Sequence, residues 1–409
     1  MIVNQSSFKV LIISTAIFLI GILEAFAYGM LNYFKYMAII LPVLYTINMP
    51  IKIKNRNCPL IYGIIIYLVF ELILNLFHEE YMTITTYILL NILFIVYIAK
   101  SSMILNNIES ITRFMYYTNL LIASIIFLSF ITEPVFIFNK GLISNVIINA
   151  GRERYRFNFQ HANYLGSICF IFFVNLSFII TTKISKNKKL ILAALAVFVF
   201  YILLLSGSRT ATYAYLLFFV LYTMQKIYHL PYGKYILGAF SIIILIFAYK
   251  YISTIDMIDL LNNTNRLGPL LYNYKLYIRL GKIYTGIGFY NHMSIYSLEY
   301  LFKNIDNYFI YVFITQGYIG LAVTLAIIII VFYSIGKIPD RNIKCFMFAF
   351  FISFIVYSMF ETYFYIPGAF LSYYFWTIGY SMININFQRT ETINNNSDSL
   401  ADKTLFIED

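Results

Sequence analysis

Six of the ten arginines, Arg152, Arg154, Arg156, Arg209, Arg266 and Arg279, sit in three short stretches separated by long apolar runs. A guanidinium is planar, permanently charged and able to grip a phosphate through two parallel hydrogen bonds, so this grouping points to a phosphate or pyrophosphate ligand. Arg209 is the most informative. It lies in Ser206-Gly207-Ser208-Arg209-Thr210, a tight turn in which Ser208 is placed to cap the helix that follows. A helix start offers free N–H groups and a positive dipole end, and a guanidinium beside it makes an anion site. The competing reading is structural: a short hairpin needs Gly and Ser in any case, and the other arginines have Glu153, Asp256 and Asp259 as acidic neighbours.

Groups able to take a proton lie in the same stretches. His161 ends Arg156-Phe157-Asn158-Phe159-Gln160-His161 and is followed by Asn163, while His292 and Asp306 bracket the last part of a long polar segment. Each is a candidate general base, with hydrogen-bonded structural service as the alternative. The four histidines are scattered, the three cysteines have no paired spacing, and no Asp-x-Asp or His-x-x-x-His pattern occurs, so the expectation is no metal, no cofactor and no nucleic-acid partner.

The elements that must hold these residues follow from composition. The chain is 61% hydrophobic and 11% charged with net charge +11, and its mean hydropathy is +0.77. This excludes a soluble globular domain. Apolar runs of about 20 residues predict about 12 spans of an all-α polytopic membrane protein. They fall near 8–30, 31–49, 60–77, 83–99, 115–131, 164–182, 190–206, 210–224, 235–252, 307–335, 345–364 and 368–387. A single transmembrane domain thus covers residues 1–387, and 388–409 reads as a disordered tail.

Loops carrying Lys52, Lys54 and Arg56, then Lys183, Lys186, Lys188 and Lys189, then Lys337, Arg341 and Lys344 fall on one face. By the positive-inside rule that face and both termini are cytoplasmic. The other face receives His78-Glu79-Glu80 and two long loops, about 132–163 and 253–306, and with them the six arginines. In the second loop Gly268-Pro269 opens an amphipathic helix carrying Lys275, Arg279 and Lys282, and Gly286-Ile287-Gly288 follows. Glu24, Glu71 and Glu361 fall in the outer halves of their spans, where an acid is costly unless it is paired or lines a polar cavity.

Four stretches together resemble the superfamily of O-antigen polymerases and O-antigen ligases. They are Arg156 through Asn163, with Ala162 where the family has Pro; Ser206 to Ala211; Arg266 followed by Gly286-Ile287-Gly288; and Asp306-Asn307 followed by Gly317-Tyr318-Ile319-Gly320-Leu321. The resemblance implies a GT-C-like fold and a metal-independent glycosyltransferase that uses undecaprenyl-diphosphate-linked oligosaccharides as donor and acceptor, with a chain-length regulator as a further partner. It implies pyrophosphate binding by Arg209, Arg266 and Arg156 and a base at Asp306 or His161, with Arg279, His292, Asn163 and Asn307 as secondary candidates. The ligases have His-Asn or His-Ser where this chain has Asp306-Asn307, which favours a polymerase over a ligase. A flippase of lipid-linked sugars is the rival from another class. It calls for cations along a central path and for symmetry between the halves, neither of which the sequence displays.

Overall fold

The computed structural model describes residues 5–26, 34–46, 81–131, 146–149, 152–157, 159, 161–182, 184–228, 231–235, 307–366 and 369–385, together with 69, 73 and parts of 272–286. Nearly all of the spans expected at 60–77 and 235–252, most of the two long loops expected at 132–163 and 253–306, and the tail lie outside these residues.

The described chain is a helical bundle: α1 (Gln5–Phe26), α2 (Phe34–Tyr45), α3 (Tyr81–Ile104), α4 (Ile108–Ile131), α5 (Ala162–Thr181), α6 (Lys186–Ser206), α7 (Arg209–Tyr228), α8 (Tyr308–Gly336), α9 (Arg341–Ser358) and α10 (370–385). Five of them, α4, α5, α6, α8 and α9, are long and apolar enough to cross a membrane. The molecule is therefore a largely helical protein with the make-up of a membrane-embedded one.

Several helices outrun the apolar stretches that announce them. The first turns of α4 and α6 carry Glu109, Lys186, Lys188 and Lys189, so these helices begin several residues before the hydrophobic run does. Hydropathy locates the apolar slab, whereas helix ends are set by capping. The reverse holds at α9. It stops at Ser358, short of the expected 364, and Tyr363, Phe364, Tyr365 and Ile366 beyond it form a buried turn. Trp376 of α10 donates its indole N–H to the Phe364 carbonyl at 2.7 Å and fixes that turn.

Among the described helices, α1 packs on α2 and α4, α5 on α4, α6 and α7, and α7 and α8 on α9. Aromatic rings dominate the interior between α9 and α10, where Phe354 and Phe375 stack at 3.7 Å and Trp376 meets Phe364 edge-on. Deep in the bundle a polar chain links three helices. Asn119 Nδ2 donates to the Phe172 backbone carbonyl (3.0 Å), Asn175 Nδ2 donates to Asn119 Oδ1 (2.8 Å), and the Tyr374 hydroxyl donates to Asn175 Oδ1. Fully buried amides in an apolar bundle need partners, and these satisfy one another across helix interfaces.

One element departs from the all-helical expectation. β1 (Val146–Asn149) and β2 (Arg152–Tyr155) form an antiparallel hairpin between α4 and α5, with Val146 opposite Tyr155 and Ile147 opposite Arg154. β2 lies against α6.

Candidate functional site

The hairpin delivers Arg154 to the turn between α6 and α7. Arg154 Nε donates to the Ser206 carbonyl at 3.2 Å, and Nη2 donates to Asn163 Oδ1 at 2.6 Å. The guanidinium thus sits over the carbonyl end of α6, where a cation complements the helix dipole. Gly207 ends α6 in the left-handed conformation (φ 57°), and a Cβ there would come within 3.2 Å of the Arg154 side chain. Glycine is needed for both reasons.

Asn163, in the first turn of α5, is the hinge pin of the cluster. Its Oδ1 accepts from Arg154 while its Nδ2 donates to Glu361 Oε1 at 2.5 Å, just past the end of α9. Burial lowers the Arg154 pKa from its ordinary value, and the Glu361 carboxylate opposes that shift. A guanidinium starts so far above neutrality that Arg154 stays charged. It has five N–H groups and two of them donate to partners among the described residues.

The Ser206–Arg209 turn differs from expectation in its cap. The Ser208 hydroxyl makes no hydrogen bond among the described residues; it is buried against Gly166 of α5, whose missing side chain gives it room. Instead the Ser208 N–H donates to Ser206 Oγ at 3.2 Å. The start of α7 therefore has no serine cap, and Arg209, its first residue, is exposed with no partner among the described residues. An uncapped helix start beside a free guanidinium is an anion-binding arrangement.

His161 is the N-cap of α5, with Nδ1 accepting from the Asn163 N–H at 3.2 Å. The neutral ring that does this carries its proton on Nε2, so its lone pair is already in use and taking a second proton would break the cap. This geometry suits an orienting residue better than a base. Arg156 is buried, only 7% exposed, and engaged by the protein. Its carbonyl closes a turn by accepting from the Phe159 N–H (2.9 Å), around Phe157 at φ 45°, a strained conformation for an aromatic residue. Phe157 is held there by stacking on Tyr155 and by contact with Phe130.

Asn307 caps α8, accepting from the N–H groups of Phe309 (2.9 Å) and Ile310 (3.2 Å), and donates to the Met359 carbonyl at 2.5 Å. This ties the start of α8 to the end of α9, two residues from Glu361. Ahead of α8 in the chain, residues 283–286 cross that helix where Gly317 breaks its helical geometry (φ 68°). The N–H groups of Tyr318 and Ile319 donate to the carbonyls of Ile283 (3.0 Å) and Tyr284 (3.3 Å). Gly286 (φ 77°) and Gly317 each lie where a Cβ would overlap the other segment's backbone.

So Asn163, the Ser206–Arg209 turn and Asn307 share one end of the bundle with Arg154, one of the six grouped arginines, and Glu361, and the sequence pattern gives neither of these two a specific role at the site. Arg279 is helical and exposed. Arg266, His292 and Asp306 lie outside the described residues. Among the described residues no three His, Cys, Asp or Glu side chains gather. No family model matches the chain, and neither does any curated protein.

Proposed function

We propose that this protein is a surface-polysaccharide polymerase of the O-antigen type, a glycosyltransferase that joins undecaprenyl-diphosphate-linked repeat units on the outer face of the bacterial inner membrane. The observation that carries the reading is the Arg154–Asn163–Glu361 bridge across the Ser206–Arg209 turn. It gathers at one bundle end stretches far apart in sequence and leaves two guanidinium groups, Arg154 and Arg209, with N–H groups to offer an anion.

In such a reaction the acceptor hydroxyl oxygen bonds to the anomeric carbon while the bond from that carbon to the phosphate oxygen breaks. The electron pair leaves with undecaprenyl diphosphate, and the hydroxyl proton passes to a base. Charge accumulating on the leaving diphosphate is what fixed cations stabilise, because they need no reorganisation as the bond breaks. Arg209, Arg154 and Arg266 take that role, with Arg156 and Arg279 behind them. Attack opposite the leaving group inverts the anomeric centre. Asp306 is the proposed base, next in chain to the anchored Asn307; His161 and Asn163 hold the start of α5, and His292 is the reserve candidate.

The test is a gel of surface glycolipid from cells lacking the gene, with lipid-linked intermediates measured in parallel. A polymerase predicts single repeat units on the lipid A core and no ladder. A bare core with long lipid-linked polymer on the outer face identifies a ligase instead, and lipid-linked single units retained on the inner face identify a flippase.

A further inference from the structure

Side chains cap α4, α5, α8 and α9, and they differ in chemistry. Asn107 accepts from the Ser110 N–H at 2.7 Å in the first turn of α4, Asn307 and Asp340 cap α8 and α9, and His161 caps α5. An amide gains no proton near neutrality and an aspartate ionises far below it, whereas an imidazole changes charge between about pH 5 and 8. Of these caps, that of α5 is the one a proton reaches under ordinary conditions, and the His161 ring is exposed.

The cap holds the residue on which the bridge depends. The Asn163 N–H donates to His161 Nδ1 at 3.2 Å, and the Tyr164 N–H donates to the His161 carbonyl at 3.1 Å. The side chain of the same Asn163 holds Arg154 on one side and Glu361 on the other. A proton on Nδ1 takes the lone pair that the Asn163 N–H uses and sets two donors against each other. It also places a positive charge at the positive end of the α5 dipole. Both effects favour the neutral ring in the folded chain, and neither acts in the unfolded chain, so the folded state binds fewer protons. The contribution of the cap is therefore present above the range in which a free histidine titrates, and is lost as pH falls through that range and below it.

The charged groups around this turn, among the described residues, are Arg154 of β2, Arg156 ahead of it in the chain, Arg209 of α7 and Glu361 past α9. Guanidinium groups keep their charge throughout, and a carboxylate ordinarily ionises at lower pH than an imidazole. The histidine is thus the group that changes state first as the solution is acidified from neutrality.

We infer that His161 is a proton-operated latch: its neutral ring holds the first turn of α5, and with it the Arg154–Asn163–Glu361 bridge, and its protonated ring releases both. That the latch governs chain extension rests on the polymerase reading; that it governs this turn does not. His161 is then a positioning residue, acting on Arg154 through Asn163.

The experiment compares the full-length wild type in detergent with His161→Asn, which keeps a cap that no proton removes, and with His161→Ala, which has none. Melting temperatures are read from about pH 8 down to about pH 5. Wild type should match His161→Asn at the upper end and descend to His161→Ala at the lower, while the two variants stay a constant distance apart. A wild type that runs parallel to His161→Asn over the whole range overturns the inference. Chain extension by the reconstituted protein is read over the same range, and should fall about fivefold further in wild type than in His161→Asn, the equilibrium weight of one helix cap. Equal extension profiles, with the melting result as expected, overturn the link from cap to bridge. Loss of extension at every pH in a His161→Asn protein that melts like wild type makes the ring a base and overturns the latch. Absence of polymer from wild type at any pH counts against the polymerase reading alone, and the melting curves still decide the latch.

Discussion

Exchanging the polarity of the Asn163–Glu361 bridge probes whether Asn163 joins Arg154 to Glu361. Asn163→Ala removes a 2.6 Å bond from a guanidinium and a 2.5 Å bond to a carboxylate. Each charge-assisted bond contributes roughly 1.5–3 kcal/mol. Because the cluster is only partly buried, the low end applies, and direct approach of Arg154 to Glu361 returns up to about 1 kcal/mol. The expected loss is about 2–3 kcal/mol. Asn163→Asp keeps the acceptor for Arg154 but sets a second carboxylate against Glu361, at a repulsion of up to about 4 kcal/mol in a surface-like dielectric. Adding Glu361→Gln supplies the donor that the new carboxylate lacks, with the hydrogen bond now running from residue 361 to residue 163. The double variant should recover to within about 1 kcal/mol of wild type, a coupling of at least about 2 kcal/mol between the sites. Thermal unfolding in detergent reads the stability, and the length of the polymer ladder in complemented cells reads the function. Additive losses, with the double variant worse than either single one, would refute the bridge.

Other perturbations follow from the same geometry. Gly317→Ala sets a Cβ 2.2 Å from the Tyr284 carbonyl at φ 68°, so protein yield and melting temperature should fall together; unchanged values would remove the close crossing of residues 283–286 over α8. Gly166→Ala meets Ser208 Oγ at 2.3 Å and should push the Ser206–Arg209 turn off α5, reducing ladder length more than it reduces protein level. Pairing it with Ser208→Gly should restore polymer, and failure to do so would place the defect elsewhere. Asn175→Leu strands Asn119 and Tyr374 in the bundle interior, and a loss of about 1–2 kcal/mol is expected by thermal unfolding. An unaffected melting temperature would show that these groups find other partners.

The helices were legible in the sequence because long apolar runs in a chain of this hydropathy have one stable form, and the arginine-bearing turn at 206–209 stood out because its arginine exceeds what a hairpin needs. The β-hairpin did not stand out. Val146-Ile147-Ile148-Asn149 and Arg152-Glu153-Arg154-Tyr155 lack the alternation of a half-buried strand, and the spacing of two residues, Ala150-Gly151, is the one signal that fits a tight turn. The choice between Arg154 and Arg156 rests on where β2 ends and on the re-aiming of the chain at Phe157, neither of which a residue pattern encodes. Glu361 read as an isolated acid in a span because its partner, Asn163, is 198 positions away. Gly286 and Gly317 each read as a weak motif; their meaning lies in the contact between them.

The central claim is that the arginines at this end hold a diphosphate leaving group. Reconstituting the purified full-length chain with lipid-linked repeat units tests it most directly, by comparing wild type with Arg209→Ala at equal protein level and equal melting temperature. The account predicts that wild type makes polymer and releases undecaprenyl diphosphate, while Arg209→Ala inserts into the bilayer normally and makes neither. Polymer of wild-type length from Arg209→Ala would contradict it.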